Sequence, residues 1–384
     1  MNFELTQEQQ LLRQMVRDFA ESEIAPQIEK LDRHEEFSVE LTKKMGELGL
    51  FGMTVDSKDG GQGLDYLSYA MVIEELARVD ASHAATVAAE NSLGIGPLAN
   101  FGNSEQKKKY LPDLLAGCKL WGFGLTEANA GSDAGGSQTT AELKNGKWLI
   151  NGSKIFITNA ANPLTAGVTV QAVTGKDAKG KPEFSCIIVE QDTRGYIARE
   201  MHHKLVWRSS NTAELYFDNV EVPEENLLGK RGDGFRQMLS TLDSGRLGIA
   251  AMGLGGAQGA YELALKYTRE RKQFGKTIAS FQVNAFKLAD CAMEIEAARA
   301  LLYKACWLKD SGKPFKKEAA MAKLYCSEVM HRVVNHAVQL HGGYGLMEEY
   351  KVARFYRDQK LLEIGEGTSE IQRTVIAREL GCFE

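Results

Sequence analysis

The period of the hydrophobic pattern changes twice along the 384 residues, and these two changes bound what the chain can fold into. Up to about residue 120, apolar residues recur at helical spacing. Thr6 with Gln9 forms a capping box, after which Leu11, Leu12, Met15, Val16, Phe19 and Ala20 share one face. Further helices are predicted at Val39–Leu48, Tyr66–Val79, Ala85–Phe101 and Ser104–Leu115, with glycines marking breaks after Leu48 and at Lys58–Gly63. Near Trp121 the pattern turns to short β-branched and aromatic runs. Asn145-Gly146 is a hairpin signal between Thr140–Leu143 and Lys147–Ile150, and strands are predicted at Lys154–Thr158, Val168–Val173, Phe184–Val189 and Ala213–Phe217. Helical spacing returns in Phe235–Arg271, Ser280–Ser311, Lys316–His341, Lys351–Leu362 and a last helix from Ser369. Helices, strands and helices in that order predict an α+β chain, not the alternation of a doubly wound sheet. The expected domains are an N-terminal helical domain (1–121), a small middle β-domain (122–231) and a C-terminal helical bundle (232–384).

Bulk properties narrow the function classes. Hydrophobic content of 43% and charged content of 25% are those of an ordinary soluble globular protein. The net charge of −5 argues against nucleic-acid binding and a polybasic membrane surface, and no apolar run approaches a membrane span. Cys118, Cys186, Cys291, Cys306, Cys326 and Cys382 are scattered, which fits reduced thiols rather than a disulfide framework or zinc site. The N-terminus lacks a basic region followed by an apolar one, so an intracellular protein is expected.

Several stretches carry possible chemistry. In Leu361–Gln372 one of three carboxylates, Glu366, stands alone between Gly365 and Gly367, and Thr368 and Ser369 then open a helix. A carboxylate on a glycine hinge before a helix N-terminus suits proton abstraction beside a bound anion. A loop glutamate closing a surface turn fits these residues equally well. Gly253–Gly259 has the wrong spacing for a dinucleotide fingerprint and no strand before it; small residues there let helices pack closely. His202-His203 and the series His331, His336, His341 lack a ligand set, so no metal is expected. Thr126–Asp133 is either a plain turn or a wrap for a cofactor edge. Arg269–Gly275 and Gln339–Gly345 are glycine-ended helix breaks, suited to a phosphate or to ordinary capping.

Taken in order, Phe123–Asp133, Phe156–Asn159, Arg271–Gly275, Gln339–Gly343 and Glu366–Glu370 resemble the flavin-dependent acyl-CoA dehydrogenases, in particular those acting on butyryl-CoA and other short, medium or branched acyl groups. The resemblance runs from the first helix to Arg378. It implies a C-terminal four-helix bundle carrying the catalytic loop, and a homotetramer with one FAD per subunit. Phe123, Leu125 and Thr126 would border the flavin, with Phe156, Ile157 and Thr158 on its other side. Ser132 would touch both FAD and the CoA part of the substrate. Arg271, Phe274, Gln282, Gln339, Gly342 and Gly343 would meet the FAD of a neighbouring subunit, and Thr368 to Glu370 would hold the pyrophosphate. Asp243 and Arg246 match the segment beside CoA, and Gly367 lies on the substrate side. Glu366 would take the α-proton while a hydride leaves the β-carbon for flavin N5, with the thioester oxygen held by the base's own N–H and a ribityl hydroxyl. The family places its base either in this loop or on the long helix before the CoA-proximal arginine, where this chain has Gly245. Electrons would pass to an electron-transfer flavoprotein, as in fatty-acid β-oxidation. The expected location is the cytoplasm, or the mitochondrial matrix had a transit peptide been removed.

The chain also departs from the family pattern. Gly365 stands where many short- and medium-chain members have tyrosine, Phe156 where tryptophan is common, Ala128 where proline is usual, and Trp207 where a slender residue is usual. These differences bear on acyl size. An enoyl-CoA reductase running the reverse reaction shares every motif, and a non-catalytic structural relative is the non-enzyme alternative. An oxidase using O₂ is disfavoured by the length of the chain.

Overall fold

The computed structural model describes residues 4–176 and 178–383. Its first block is helical: α1 (Gln7–Phe19), α2 (Ile28–His34), α3 (Val39–Glu47), α4 (Tyr66–Val79), α5 (Ala81–Ala89), α6 (Gly96–Phe101) and α7 (Ser104–Leu115). The Thr6 hydroxyl accepts from the Gln9 N–H while the Gln9 side chain accepts from the Thr6 N–H, so α1 starts at the predicted capping box. The helix predicted over 85–101 differs. Asp80 caps α5 by accepting from the His83 N–H, which moves the start to Ala81, and Glu90–Ile95 winds as a π-helical stretch between α5 and α6.

The strands are β1 (Leu120–Gly124), β2 (Thr140–Lys144), β3 (Lys147–Thr158), β4 (Thr165–Lys176), β5 (Pro182–Glu190), β6 (Tyr196–Glu200), β7 (Thr212–Pro223) and β8 (Leu227–Leu228). They form one sheet in the order β6-β7-β3-β2-β4-β5-β8, with β1 lying parallel against β4. Asn145 (φ +52°) and Gly146 (φ +74°) make the two-residue turn joining β2 to β3, as the sequence predicts. The two strands expected over 147–158 are one strand with register shifts, and at Gly152 a Cβ would run into Thr139. Trp148, Ile150, Val168, Val170, Val220 and their neighbours give this sheet a core of its own, separate from the core of the helices.

The last block contains α8 (Gly234–Glu270), the short hairpin β9 (Lys272–Gln273) and β10 (Lys276–Thr277), α9 (Gln282–Asp310), α10 (Lys316–His341), α11 (Val352–Leu362) and α12 (Ser369–Glu379). At 37 residues, α8 is about 55 Å long and packs against α4, α5, α9, α10 and α11. A Cβ at Gly255 would lie 2.1 Å from the Glu74 carbonyl oxygen, and one at Gly259 2.1 Å from that of Arg78; on the other side, one at Gly253 would lie 2.9 Å from that of Cys326. The glycine run thus lets α8 meet the backbones of α4 and α10 directly. Each helical glycine costs about 1 kcal/mol of propensity relative to alanine, which close packing offsets. As a result the first and last helical blocks share one core, and the loop joining α11 to α12 lies against α8 at Gly245.

Candidate active site

The loop between α11 and α12 has an unusual backbone. Glu366 has φ +52° and Gly367 φ +98°, whereas Gly365 keeps an ordinary negative φ. The conformational freedom expected of both flanking glycines is used only at Gly367, and the carboxylate residue itself takes the left-handed turn, at a cost of roughly 1–2 kcal/mol. Side chains of the flanking helices hold that turn in place. Gln372 of α12 donates to the carbonyls of Glu366 (3.2 Å) and Gly367 (3.0 Å), and Lys323 of α10 donates to that of Gly367 (2.7 Å). Ser327, one turn further along α10, bonds the Leu362 carbonyl at 2.9 Å, and Thr368 caps α12 by accepting from the Ile371 N–H.

The geometry turns the Glu366 carboxyl onto α8. A Cβ built at Gly245 would lie 2.0 Å from its Oε2, so the carboxyl occupies the space that any side chain at 245 would need. The residue as a whole is half-buried, but Oε2 is fully buried and has no hydrogen-bond partner among the described residues. Burial pushes the acid up to about 7, against the pull of Arg246 and Lys323, which favour the ionised form. Arg246 is itself buried and paired with Asp243 one turn back on α8. Tyr69 of α4 completes the surroundings: its hydroxyl donates to the Ala88 carbonyl at 3.4 Å, and the nearby Glu366 charge adds to burial in raising its pKa. A carboxyl with one oxygen buried and unpartnered among the described residues, and with its proton affinity moved toward neutrality, has the chemistry a general base needs.

The other residues singled out from the sequence fall into two groups. Phe123 near the end of β1, and Leu125 and Thr126 just after it, lie beside Phe156, Ile157 and Thr158 at the end of β3. The Ile155 N–H donates to the Thr126 carbonyl (3.0 Å) and the buried Lys154 ammonium to that of Leu125 (3.1 Å). Phe156 has φ +62° and is exposed, and Ser132 lies exposed on the loop that follows β1. The second group is Arg271, Phe274, Gln282, Gln339, Gly342 and Gly343, all exposed. The Arg271 guanidinium lies over the Tyr344 ring at 5.7 Å, which joins the β9–β10 hairpin to the glycine-rich end of α10. Gly342 (φ +61°) and Gly343 are open: a Cβ at either would meet nothing within 4 Å. Glu370 is exposed in the first turn of α12.

Two specificity expectations gain a structural setting. A Cβ at Gly365 would lie 2.9 Å from Leu361 Cδ2, so a tyrosine there must first move that leucine. Trp207 is buried against α11, donating its backbone N–H to the Asp358 carboxylate (2.9 Å) and its indole N–H to the Asp358 carbonyl (3.1 Å). Lys323, Gln372 and Tyr69 are part of the site and were missed in the sequence. For Lys323 a signal exists: a lysine set among Ala319, Ala322, Cys326, Val329, Met330 and Val333 on the buried face of α10 breaks the apolar stripe. Among the described residues no group of three or more His, Cys, Asp or Glu is placed to hold a metal ion.

Comparison with known proteins follows the same division. Residues 6–118, 122–220 and 232–381 match the acyl-CoA dehydrogenase N-terminal, middle and C-terminal domain families. A probable acyl-CoA dehydrogenase of Bacillus subtilis is 53% identical over 99% of this chain and 100% of its own length. The acryloyl-CoA reductase (NADH) of Anaerotignum propionicum is 43% identical over 99% and 96%. Among solved structures, butyryl-CoA dehydrogenase from Megasphaera elsdenii superimposes with a TM-score of 0.95 at 44% identity, covering 99% of this chain and 100% of that one. A chain in a structure of the electron transferring flavoprotein of Acidaminococcus fermentans also gives 0.95 at 44%, covering 99% of both chains.

Proposed function

The chain belongs to the acyl-CoA dehydrogenase family, and from that premise we propose that it is an FAD-dependent enzyme converting a short, medium or branched acyl-CoA to the 2-enoyl-CoA. The observation that carries the reading is the Glu366 carboxyl, its Oε2 buried against Gly245 with no partner among the described residues and its pKa raised to about 7. Such a group is a stronger base than an ordinary carboxylate, suited to the weakly acidic α-proton of a thioester once the developing enolate oxygen is stabilised, and among the described residues no donor holds its Oε2. Arg246, neutralised in part by Asp243 and assigned to the CoA-proximal segment, favours the ionised base. The loop carbonyls are turned toward Lys323 and Gln372, which fixes the direction of the base.

FAD, when bound, supplies the acceptor for the electron pair leaving the β-carbon. The open glycine cradle at Gly342–Gly343 suits its phosphates, and Thr368–Glu370 at the capped start of α12 are proposed to hold the pyrophosphate. Phe123, Leu125, Thr126, Ser132, Phe156, Ile157 and Thr158 are proposed to line its ring, and Arg271, Phe274, Gln282, Gln339, Gly342 and Gly343 to reach the FAD of a neighbouring subunit. Exposed apolar side chains around that second group, Phe274 at 92%, Val283, Phe286 and Leu346, support assembly into a homotetramer. Asp243, Arg246, Ser132 and Gly367 are assigned to the substrate side, and the domains to 1–121, 122–231 and 232–384.

An electron-transfer flavoprotein is the proposed partner, supported by the Acidaminococcus structure. A cytoplasmic location is proposed on the full-length bacterial relatives, and no described helix is long and apolar enough to cross a membrane. The similarity to acryloyl-CoA reductase favours a second reading, the reverse reaction at the same site, in which protonated Glu366 returns the α-proton. A panel of acyl-CoA thioesters added without oxygen tests both readings. Flavin bleaching by acyl-CoA supports the forward reading, bleached flavin reoxidised by enoyl-CoA alone supports the reverse, and a flavin unchanged by either contradicts both.

A further inference from the structure

We propose that Lys323 is the positioning residue for Glu366, its ammonium fixing the Gly367 carbonyl and its charge stabilising the ionised base. The inference rests on the reading of Glu366 as the base. A fully buried lysine is rare unless a partner holds it. Lys323 is 0% exposed and lies on the apolar face of α10, and its ammonium finds the Gly367 carbonyl at 2.7 Å. That carbonyl belongs to the turn in which Glu366 takes its left-handed conformation, so losing this bond removes one of the contacts that hold the strained turn. Gln372 grips the same carbonyl from α12, and Ser327 grips Leu362 from α10. The loop is therefore held from behind, leaving its carboxyl face to α8.

The charged and titratable groups around the base can be named from each packed element. Arg246, paired with Asp243, faces it from α8; Tyr69 from α4; Lys323 from α10. Glu363 and Glu370, on either side of the loop, act in turn on Lys323. Burial pushes Lys323 down to about 8, and Glu366 is the largest of the charges that oppose this fall. The lysine acts on the carboxylate through space while its hydrogen bond goes to the next residue's carbonyl, so the electrostatic and positional roles are separable. Lysine-to-methionine removes both. Lysine-to-glutamine removes the charge but keeps a donor of similar reach.

The test uses the flavin-loaded Lys323→Met and Lys323→Gln proteins. The rate of flavin bleaching by butyryl-CoA is measured without oxygen across pH, with flavin content and KM recorded alongside. In both variants the limb that rises with pH is expected to move to higher pH by about one unit, because a cation favouring ionised Glu366 has gone. The limiting rate is expected to fall about tenfold in Lys323→Met and less in Lys323→Gln, with little change in KM. A rising limb at the wild-type position in either flavin-loaded variant overturns the proposal. Should Lys323→Met not retain flavin, the glutamine variant alone decides the matter. Failure of the wild-type protein itself to bleach with any acyl-CoA would instead overturn the functional reading on which the inference rests.

Discussion

Gly245→Ala separates the fold from the chemistry more cleanly than any change to the base. The added carbon would lie 2.0 Å from Glu366 Oε2, 2.8 Å from its Cδ and 3.0 Å from Oε1. Carbon–oxygen contacts settle at about 3.3 Å, so the carboxyl must retreat by roughly 1.3 Å. The fold barely notices, because the displaced atoms end a flexible side chain and alanine in a helix interior gains up to about 1 kcal/mol over glycine. The chemistry suffers, since misplacing a reacting group by about 1 Å can cost about 100-fold in rate. We expect the single-turnover rate of flavin bleaching by butyryl-CoA to fall about 100-fold while the thermal midpoint holds or rises. A wild-type rate in a stable Gly245→Ala protein would refute the reasoning, because the carboxyl would then not be acting from where it lies. The same contact governs transplantation of the base. Gly245→Glu combined with Glu366→Gln sets two side chains in one space and should stay inactive. Combined with Glu366→Gly, which also relieves the left-handed φ, it should recover measurable turnover.

Three further outcomes follow from the structure. Raising the Glu366 acid from 4.5 to about 7 costs its ionised form on the order of 3 kcal/mol, an upper figure for a half-buried residue. The folded state keeps this proton to higher pH than the unfolded one, so wild-type stability falls between those values and then levels. Glu366→Gln should therefore match wild type in thermal melts near pH 4 and exceed it above about pH 7; equal melts at both would show that the acid is not raised. Arg271→Ala should lose FAD and loosen assembly together in flavin spectra and size-exclusion profiles, because Arg271 belongs to the exposed group with Phe274 and Tyr344; loss of one without the other would separate the two. Gly365→Tyr should reduce activity with branched or cyclic acyl-CoA more than with butyryl-CoA, after displacing Leu361; equal losses across such a panel would remove this position from substrate choice.

Much of the architecture was legible where local chemistry is decisive. The capping box of α1, the Asn145-Gly146 turn and the glycines of Gly253–Gly259 each do what their residue types allow. What escaped notice lacks such local marks. Leu120–Gly124 is buried on both faces, so β1 shows none of the alternation that reveals a half-exposed strand. Strands β6 and β8 are short edge strands whose existence depends on β7 and β5 being beside them. At the site, Glu366 could be singled out from its flanking glycines, but its environment could not. Lys323 and Tyr69 come from helices far from the loop in sequence, and only packing brings them to it, whereas Gln372 lies one turn into the helix that follows and folds back locally. The need for glycine at 245 is likewise a tertiary fact, set by a carboxyl from a loop more than a hundred residues later.

The central claim is that Glu366 is the base that removes the α-proton. The measurement that tests it most directly mixes the FAD-loaded Glu366→Gln protein with its best acyl-CoA in the absence of oxygen and follows the flavin absorbance. The glutamine keeps the size of the side chain and removes the basic oxygen. The account predicts that the variant retains FAD and binds acyl-CoA, shown by a shift in the flavin spectrum, yet reduces the flavin at least about 1,000-fold more slowly than wild type. Near-normal bleaching in the variant would contradict it and would move the search for the base to Asp243 or Glu127.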